Sequence, residues 1–361
     1  MTQTLLVNKN DFSDVTCVTA PLGDLEEGFI RCEVGPWALT ANNVTYMVTG
    51  DRIGYWHYFD PSAYGIEVDN HGRMPVWGYA KVIESQCEEV EVGKVIYGFL
   101  PITQSFDMKP ERLSPMGFQD GNTHRKPLHS LYNRYSFVEA DPSFGIHPDL
   151  QPILRPLFTT SFLIDDFLAE KDFFGAEQVL ILSASSKTAL GTAFCLKERG
   201  SVRVAALTSK GNKTFTEETG FYDTVFTYDA IETLDTNLKT TLVDMSGNAK
   251  VLAELAHHFG DNITYVCKVG LSHWGAGQGP KVDIKAPVEF FFAPDQAKTR
   301  VAEWGGAGFA ERLGARWIPF LNSAKDWLHI EKSEGLPAIL SAYKDVLNGE
   351  AAPDKGYLFT L

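Results

Sequence analysis

A run of small residues between two apolar segments could bind a pyrophosphate. Residues 178–182 are short and apolar, and apolar residues recur at helical spacing over residues 192–199. This order predicts a buried strand, a tight turn and a helix. The N–H groups at a helix N-terminus favour phosphate, and serine hydroxyls can add hydrogen bonds. The cofactor-binding candidates in this turn are Ser183, Ser185, Ser186, Lys187, Thr188 and Ala189.

The turn lacks the glycine fingerprint of dinucleotide-binding proteins. The pattern G-x-G-x-x-G supplies glycines for the tight turn, for close approach of the phosphate and for packing of the helix. Ser183, Ser185 or Ser186, and Ala189 stand near these places, and Gly191 is the glycine that remains nearby. A strand, turn and helix with no ligand therefore stays open as the alternative.

The residues after the next apolar segment favour NADP(H) over NAD(H). Residues 202–207 predict a second strand, and Thr208-Ser-Lys-Gly-Asn-Lys213 follows it without a carboxylate. NAD-specific sites place Asp or Glu here for the ribose 2′-hydroxyl, whereas a 2′-phosphate requires a cation. We therefore expect Ser209, Lys210 and Lys213 to bind the cofactor. Solvated loop lysines are the alternative.

Composition and charge exclude several classes of function. The chain has 361 residues, 44% of them hydrophobic and 22% charged, and its net charge is −14. Nucleic acids and anionic membranes bind through clustered Lys and Arg, so neither is expected as a partner. No apolar run approaches the roughly 20 residues that span a bilayer, and the N-terminus lacks the pattern of a signal peptide. We expect a cytoplasmic protein.

Two kinds of pattern divide the chain into two parts. Residues 1–150 contain short β-type runs broken by Gly and Pro, such as residues 28–35 and 94–100. From Gln151, apolar strands alternate with helices, which predicts an α/β fold with a parallel sheet covered on both faces. The last 70 or so residues leave this alternation again and end in a helix and a short strand.

The order of these segments resembles the medium-chain dehydrogenase/reductase superfamily. The match rests on a strand that ends near Val34, a loop through Asn42 and Asn43, and the runs 75–84 and 92–101. The resemblance implies a Rossmann-type doubly wound domain over residues 151–292. It also implies a mostly β, GroES-like substrate domain formed by residues 1–150 and 293–361. The implied function is NADP(H)-dependent reduction of a polarised C=C or carbonyl of a small organic molecule.

The resemblance is closer to the zinc-independent quinone and enoyl reductases, as a divergent subfamily. Where zinc-dependent members have a cysteine, this chain has Val34-Gly-Pro-Trp37, and where they have Gly-His-Glu it has Gly78-Tyr-Ala80. The five cysteines are scattered singly, so the four-cysteine zinc lobe is missing too. Too few ligands remain to hold a catalytic zinc, and no metal is expected.

The resemblance also implies three catalytic candidates, Asn42, Tyr46 and Tyr79. Asn42 matches an asparagine common after the first strand of zinc-independent members, and Tyr46 lies near the position of a proton-donating tyrosine in some enoyl reductases. Such groups position the acceptor or stabilise a developing oxyanion. The chain has 13 tyrosines. The alternative is therefore that a tyrosine stands at position 46 by chance.

Three further residues complete the expected cofactor site. Thr160 resembles the threonine that opens the long helix entering the nucleotide domain, with helix capping as its other role. Ser246 follows the apolar run 240–244, and His273 follows the strand over residues 264–269. His273 would lie at the carboxyl edge of the sheet, where ligands bind; a structural histidine is the alternative.

Residues 102–135 suggest that the small-molecule substrate is anionic. Lys109, Arg112, Arg125, Lys126 and Arg134 concentrate there in an otherwise acidic chain. A local excess of positive charge attracts anions, and a solvated loop is the alternative.

We also expect a homodimer. Phe290, Phe291 and Phe292 stand between two prolines where the last strand of the parallel sheet should fall. An exposed apolar edge strand is an aggregation hazard unless it is paired, and a second copy could pair with it. The alternatives are phenylalanines that alternate between the two helical layers and, for the whole protein, a non-catalytic scaffold that keeps the fold.

Overall fold

The computed structural model describes residues 1–270 and 284–361. These residues divide into two compact units: unit 1 contains Met1–Ile153 and His329–Leu361, and unit 2 contains Leu154–Leu328. Unit 1 is built on antiparallel and mixed sheets and unit 2 on a parallel sheet. The predicted α/β class, with a doubly wound parallel sheet and a mostly β unit, is therefore confirmed.

The strands and helices are numbered along the chain. The strands are β1 (Thr2–Asn8), β2 (Val15–Ala20), β3 (Ile30–Leu39), β4 (His71–Gly72), β5 (Pro75–Ser85), β6 (Val95–Pro101), β7 (Ser105–Met108), β8 (Pro110–Ser114), β9 (Gly117–Asp120), β10 (Arg134–Phe137), β11 (Gln178–Leu182), β12 (Arg203–Thr208), β13 (Thr224–Thr227), β14 (Thr240–Asp244), β15 (Ile263–Lys268), β16 (Val288–Phe290), β17 (His329–Glu334) and β18 (Lys355–Thr360). The α-helices are α1 (Ala41–Val48), α2 (Gly50–Ile53), α3 (Gln151–Glu170), α4 (Lys187–Arg199), α5 (Lys213–Glu218), α6 (Ala249–Phe259), α7 (Ala293–Ala324) and α8 (Leu336–Asn348).

Unit 1 is organised around a nine-stranded sheet. Its strands follow the order β17-β18-β3-β5-β6-β10-β9-β8, and β7 pairs with β3. The alternating pattern at residues 28–35 belongs to β3, which buries Ile30, Cys32 and Val34 on one face. The C-terminal strands β17 and β18 belong to the same sheet, with β18 antiparallel to β3.

Residues 41–48 form helix α1 where the sequence indicated a loop. The Thr40 N–H donates to Asn43 Oδ1 at 2.8 Å and so closes the start of the helix. The helix buries Val44, Tyr46 and Met47, and this burial stabilises a segment too short to be helical alone. Because Asn42 and Tyr46 are four residues apart on a helix, their side chains are neighbours.

Unit 2 contains a six-stranded parallel sheet in the order β13-β12-β11-β14-β15-β16. Every residue of β11 and β14 is buried, as expected of strands that are covered on both faces. The strand order reverses between β11 and β14. Their carboxyl ends therefore flank a topological switch point, the place where open α/β sheets bind ligands.

The chain returns to unit 1 at His329, later than the expected residue 293, because α7 packs within unit 2. Phe320 on α7 stacks on Phe158 of α3, with ring centroids 4.6 Å apart, and lies 5.3 Å from Phe194 of α4. This aromatic cluster buries one side of α7. In the part of the chain that the structure describes, no helix is long and apolar enough to cross a membrane.

Candidate functional site

The turn between β11 and α4 has the predicted local structure. Ser186 caps α4, and its Oγ accepts a hydrogen bond from the Ala189 N–H at 3.3 Å. The Ser186 N–H closes the turn on Ser183 O at 2.9 Å. Lys187 and Thr188 are the first helical residues, so their N–H groups lie at the positive end of the helix dipole. An anion would be stabilised there.

Two of the candidate serines are hydrogen-bonded to residues that follow β12 and β13. The Ser185 hydroxyl accepts from Asn212 Nδ2 at 2.9 Å, and the Ser183 N–H donates to the hydroxyl of Tyr228 at 3.0 Å. Ser183 has a φ of 52°, a left-handed conformation that favours glycine. The bond to Tyr228 helps to hold this serine in a conformation for which the fingerprint would use glycine.

Gly191 lets helix α4 approach α3 closely. A Cβ atom at this position would lie 2.6 Å from Ser161 Oγ, too close for real atoms. The Ser161 hydroxyl donates to Thr188 O at 2.7 Å and so links α3 to the first turn of α4. The surviving glycine thus has a packing role comparable to that of the last glycine of the fingerprint.

Thr160 lies within α3 and does not open it. The helix begins at Gln151, and the Thr160 hydroxyl donates back to Pro156 O at 3.3 Å. This is the usual bond of a threonine inside a helix. His273, another cofactor candidate, lies outside the described residues.

The lysines after β12 are placed at the carboxyl edge of the sheet. Ser209 and Lys210 are exposed, and Lys210 forms no ion pair within the described residues. Lys213 lies 3.7 Å from Glu217 on α5, which partly balances its charge. Lys210 is therefore the less neutralised of the two cations.

An acidic residue does lie near these lysines, but it follows β13 and not β12. The pKa of Asp229 is lowered by a hydrogen bond from Thr227 and, to a smaller degree, by the charges of Lys210 and Lys213. No sequence pattern singled out Asp229 or its neighbour Tyr228, because the expected cofactor contacts follow the second strand and these residues follow the third. The parallel pairing of β12 with β13 brings the two ends together.

Asp244 ends β14 at the switch point and is 1% exposed. Its Oδ1 accepts from the Ser246 N–H at 2.9 Å, the Ser246 hydroxyl at 2.8 Å and the Gly247 N–H at 3.0 Å. Ser246, a cofactor candidate, is thus engaged by Asp244. The other oxygen, Oδ2, is buried and has no hydrogen-bond partner among the residues that the structure describes. Sequence patterns gave no signal for this unpartnered acceptor.

In unit 1 the structure brings together Asn42, Tyr46 and Trp77. The phenol oxygen of Tyr46 accepts from Asn42 Nδ2 at 2.7 Å and from Trp77 Nε1 at 2.9 Å. The ring packs against Tyr55 at 4.6 Å and against Phe99 at 5.2 Å between centroids. Burial raises the pKa of Tyr46 well above its usual range, so this phenol stays protonated.

The hydroxyl hydrogen of Tyr46 is the free part of this arrangement. A phenol has one hydrogen to donate and two lone pairs to accept, and both lone pairs of Tyr46 are occupied. No acceptor for its hydrogen lies among the described residues. The arrangement can therefore donate a hydrogen bond or a proton to an oxygen of a ligand.

Tyr79, the third catalytic candidate, is placed differently. Its hydroxyl donates to Pro148 O at 2.8 Å, and its ring lies 5.7 Å from Tyr97 and 6.2 Å from Phe144. A hydroxyl that already donates within the protein is not poised to donate to a ligand. The residue is suited to packing β5 against the following turns.

Two of the five basic residues in the segment over residues 102–135 are paired with local acids. Arg125 is fully buried and pairs with Asp120 at 2.6 Å, and Lys126 lies 3.4 Å from Glu111. These pairs reduce the positive charge that the segment would offer to an anion.

The edge strand β16 exposes part of its apolar surface. Val288 and Phe290 are each 41% exposed, whereas Phe291 is 9% exposed and lies 5.5 Å from Phe167. Of the three phenylalanines, only Phe290 therefore belongs to the strand and exposes its side chain.

In residues 1–270 and 284–361, no group of three or more His, Cys, Asp or Glu side chains could hold a metal ion.

Comparisons with known proteins place the chain in a family and match its fold to that of solved structures. A model of a family described as "Protein of unknown function (DUF2855)" matches residues 37–352. No curated protein matches.

Solved structures share the fold at low sequence identity. CurA from Vibrio vulnificus in complex with NADPH has a TM-score of 0.61 and 14% identity, covering 99% of this chain and 98% of that one. The Etr1p complex with NADP and crotonyl-CoA has a TM-score of 0.62 and 10% identity, covering 100% and 99%. The yhdH oxidoreductase from Salmonella enterica in complex with NADP has a TM-score of 0.52 and 13% identity, covering 99% of each chain. At these identities the likeness establishes the fold.

Proposed function

We propose that this chain, which belongs to the DUF2855 family of proteins of unknown function, is an NADP(H)-dependent reductase. The observation that carries the proposal is the N-terminus of α4 beside the switch point of a parallel sheet. Pyrophosphates bind at such places. The cofactors present in the structures of like fold support the same choice.

Asp244 provides a test of whether the site suits a dinucleotide. Its buried Oδ2 has no partner among the described residues, and a buried carboxylate oxygen without a hydrogen bond is costly. A dinucleotide presents ribose hydroxyls along the carboxyl edge of the sheet. We assign Asp244 Oδ2 as an acceptor for one of these hydroxyls, so the residues present fit the cofactor.

The preference for NADP(H) over NAD(H) is assigned to Lys210. This lysine is exposed beside Ser209 at the end of β12, whereas Lys213 shares its charge with Glu217. A 2′-phosphate would form a charge-assisted contact with Lys210. Asp229 opposes that contact by repulsion, so the preference should be moderate.

The catalytic group of unit 1 is assigned to Tyr46. Bound NADPH would supply a hydride to the substrate. The Tyr46 hydroxyl would then donate to the oxygen of a polarised carbonyl, or of a carbonyl conjugated to a C=C bond, where negative charge develops. Asn42 and Trp77 orient that hydroxyl by donating to its oxygen.

We assign the protein to zinc-independent chemistry on a small organic substrate. The resemblance to the medium-chain dehydrogenase/reductase superfamily implies that Val34, Trp37, Tyr79 and Ala80 stand where its zinc-dependent members have ligands. Apolar, aromatic and phenolic side chains are poor zinc ligands. Polarisation of the acceptor therefore falls to hydrogen-bond donors, with Tyr46 as the one that the geometry favours.

A second candidate function is a binding or assembly scaffold that keeps the fold without catalysis. The hydrogen bonds that engage Ser183 and Ser185 within the protein favour it, because they use groups that a phosphate could otherwise contact. The two functions differ in whether NADPH binds.

Titration of the purified protein with NADPH and NADH decides between them. Quenching of the fluorescence of its seven tryptophans reports binding. The reductase requires saturable NADPH binding that is tighter than NADH binding. Absence of binding for both cofactors would favour the scaffold and sink the reductase.

A further inference from the structure

Arg73 is a buried cation without a partner in the region that the structure describes. It lies between β4 and β5 in unit 1 and is 2% exposed. Its Nε is buried and has no hydrogen-bond partner, and no ion pair or hydrogen bond reaches its other nitrogens from the described residues. A guanidinium has five N–H donors and no acceptor. All five are therefore available.

The other buried arginines of this protein are paired. Arg125 is fully buried and donates to Asp120, Asn133, Tyr135 and the carbonyl of Tyr132. Arg300, which is 6% exposed, contacts several carboxylates, including Glu303 at 2.5 Å. Buried charges are paired as a rule, because an unpaired one is strongly unfavourable. Arg73 departs from what the same chain does elsewhere.

An aromatic ring covers one face of the Arg73 guanidinium. The guanidinium carbon lies 4.2 Å from the centroid of the Tyr64 ring, which covers one face. The ring is held by His124, whose centroid lies 5.7 Å away. The hydroxyl of Tyr64 is buried and also lacks a partner among the described residues. Two adjacent polar side chains thus have unmet hydrogen bonds.

Nearby carboxylates do not balance the charge of Arg73. Burial lowers the pKa of its guanidinium, and electrostatic interaction with Tyr64 and Asp60 offsets this effect only in part. The Asp60 carboxylate is used elsewhere: it accepts from the Ser62 N–H at 3.0 Å and the Ser62 hydroxyl at 2.7 Å. The missing partner must therefore bring both acceptors and negative charge.

We propose that Arg73 is the recognition residue of a binding site for a small oxyanion, a carboxylate or a phosphate, within unit 1. A planar guanidinium binds two oxygens of such a group through two parallel N–H···O bonds. Tyr64 keeps the guanidinium in a fixed plane. The site belongs to unit 1 alone and does not rest on the binding of NADP(H).

The proposed site places an anionic ligand at Arg73, whereas the sequence suggested the basic segment over residues 102–135. Residues 102–135 contain most of the expected positive charge, but Arg125 and Lys126 are paired there. Arg73 lies outside that segment and had no distinguishing pattern in the sequence. Its unpaired state comes from the fold.

The test is a titration of the whole chain with small anions, in which thermal unfolding and calorimetry detect binding. The probes are sodium acetate, sodium benzoate and inorganic phosphate at constant ionic strength, with sodium chloride as the control salt. A saturable rise in Tm with acetate or benzoate identifies a carboxylate, and one with phosphate identifies a phosphate. The phosphate arm is repeated with saturating NADP+ and with the K210E variant, which removes a contribution from the proposed cofactor site.

Variants separate recognition by Arg73 from general charge effects. In R73M the saturable effect should vanish, and in R73K, which keeps the charge but not the planar fork, binding should weaken by about ten-fold or more. R134M, at an exposed arginine of the same unit, should bind like the unmodified protein. Without anion, R73M should unfold at the same temperature or a higher one, because it removes an unpaired buried charge.

Three results would overturn the proposal. One is that no probe anion gives saturable binding to the unmodified protein, which would leave ordered water as the partner of Arg73. Another is equal anion binding by R73M. The third is a lower Tm of anion-free R73M, which would make the stack on Tyr64 a purely structural contact. Each result is independent of NADPH binding, so this site and the proposed reductase can fail separately.

Discussion

The indole N–H of Trp77 donates to the phenol oxygen of Tyr46 at 2.9 Å. Asn42 donates to the same oxygen at 2.7 Å, so two hydrogen bonds arrive at one phenol oxygen. The direction left for the hydroxyl hydrogen is then set by the protein. A donor with a set direction stabilises developing charge without reorganisation, and this property makes Tyr46 the first residue to substitute.

Replacing Tyr46 with Phe should lower kcat by roughly 10²- to 10⁴-fold, the usual contribution of a positioned general acid. Reductase activity is measured with NADPH and a panel of conjugated enones and ketones. Because the pKa of Tyr46 is raised by burial, its ionisation should not lower activity between about pH 7 and pH 9. Y79F serves as the matched control, since its hydroxyl donates to Pro148. Equal kcat values for Y46F and the unmodified enzyme would remove Tyr46 from the mechanism.

Replacing Lys210 with Glu should erase the preference for NADPH. Loss of a charge-assisted phosphate contact costs roughly 1.5 to 3 kcal/mol, or about 10- to 150-fold in Kd. K213E should have a smaller effect, because Lys213 already lies 3.7 Å from Glu217. D229N should tighten NADPH binding by removing a repulsive charge. If the unmodified protein binds both cofactors equally, the assignment of Lys210 fails.

Replacing Asp244 with Asn should weaken NADPH binding by about ten-fold, the value of one hydrogen bond. The amide keeps the oxygen that accepts from Ser246 and Gly247, and it places a donor where Oδ2 accepts. The Tm should change little. D223N is the control, because that carboxylate accepts from the Val204 N–H at the amino edge of the sheet. An unchanged Kd in D244N would show that no ligand hydroxyl uses Oδ2.

The protein should be a homodimer that pairs through β16. Val288 and Phe290 expose apolar surface on this edge strand, and pairing across a two-fold axis would bury it. Light scattering should give a dimer for the unmodified protein and a monomer for F290K. V92K, at another exposed apolar residue, should stay dimeric. F291K is unsuitable because Phe291 packs against Phe167. A monomeric unmodified protein would contradict the prediction.

Zinc should be dispensable. No ligand set for this metal is provided by Val34, Trp37, Tyr79 and Ala80, because their side chains are poor zinc ligands. Elemental analysis should find no stoichiometric zinc, and NADPH-dependent activity should survive incubation with a chelator. One tightly held zinc per chain would reverse the assignment to the zinc-independent branch.

Local parts of the site could be predicted from the sequence. The strand β11, the small-residue turn and the helix α4 depend on neighbours in the chain, such as the cap formed by Ser186 and the stop at Gly200. Asn42 and Tyr46 were found through a resemblance, and the helix that unites them was not predicted. That helix is stabilised by burial of Tyr46 and Met47, which no local pattern reports.

Other parts could not be predicted, because they depend on contacts between distant residues. Tyr228 reaches Ser183 across 45 positions of sequence, and Asp229 reaches the lysines after β12 through strand pairing. Arg73 and Asp244 are notable for partners that they lack. An unmet hydrogen bond is a property of packing, and the residue type alone does not reveal it.

The hydroxyl-bearing turn after β11 has a thermodynamic consequence. Glycine has more conformational freedom than any other residue in the unfolded chain, and this turn uses serines that Tyr228 and Asn212 hold in place. Little disorder then remains for a ligand to remove. Preorganisation of this kind reduces the entropic cost of binding an anion at the start of α4, and this gain opposes the loss of the Ser183 N–H and the Ser185 hydroxyl as contacts. Searches that require glycines at the turn will pass over chains built in this way.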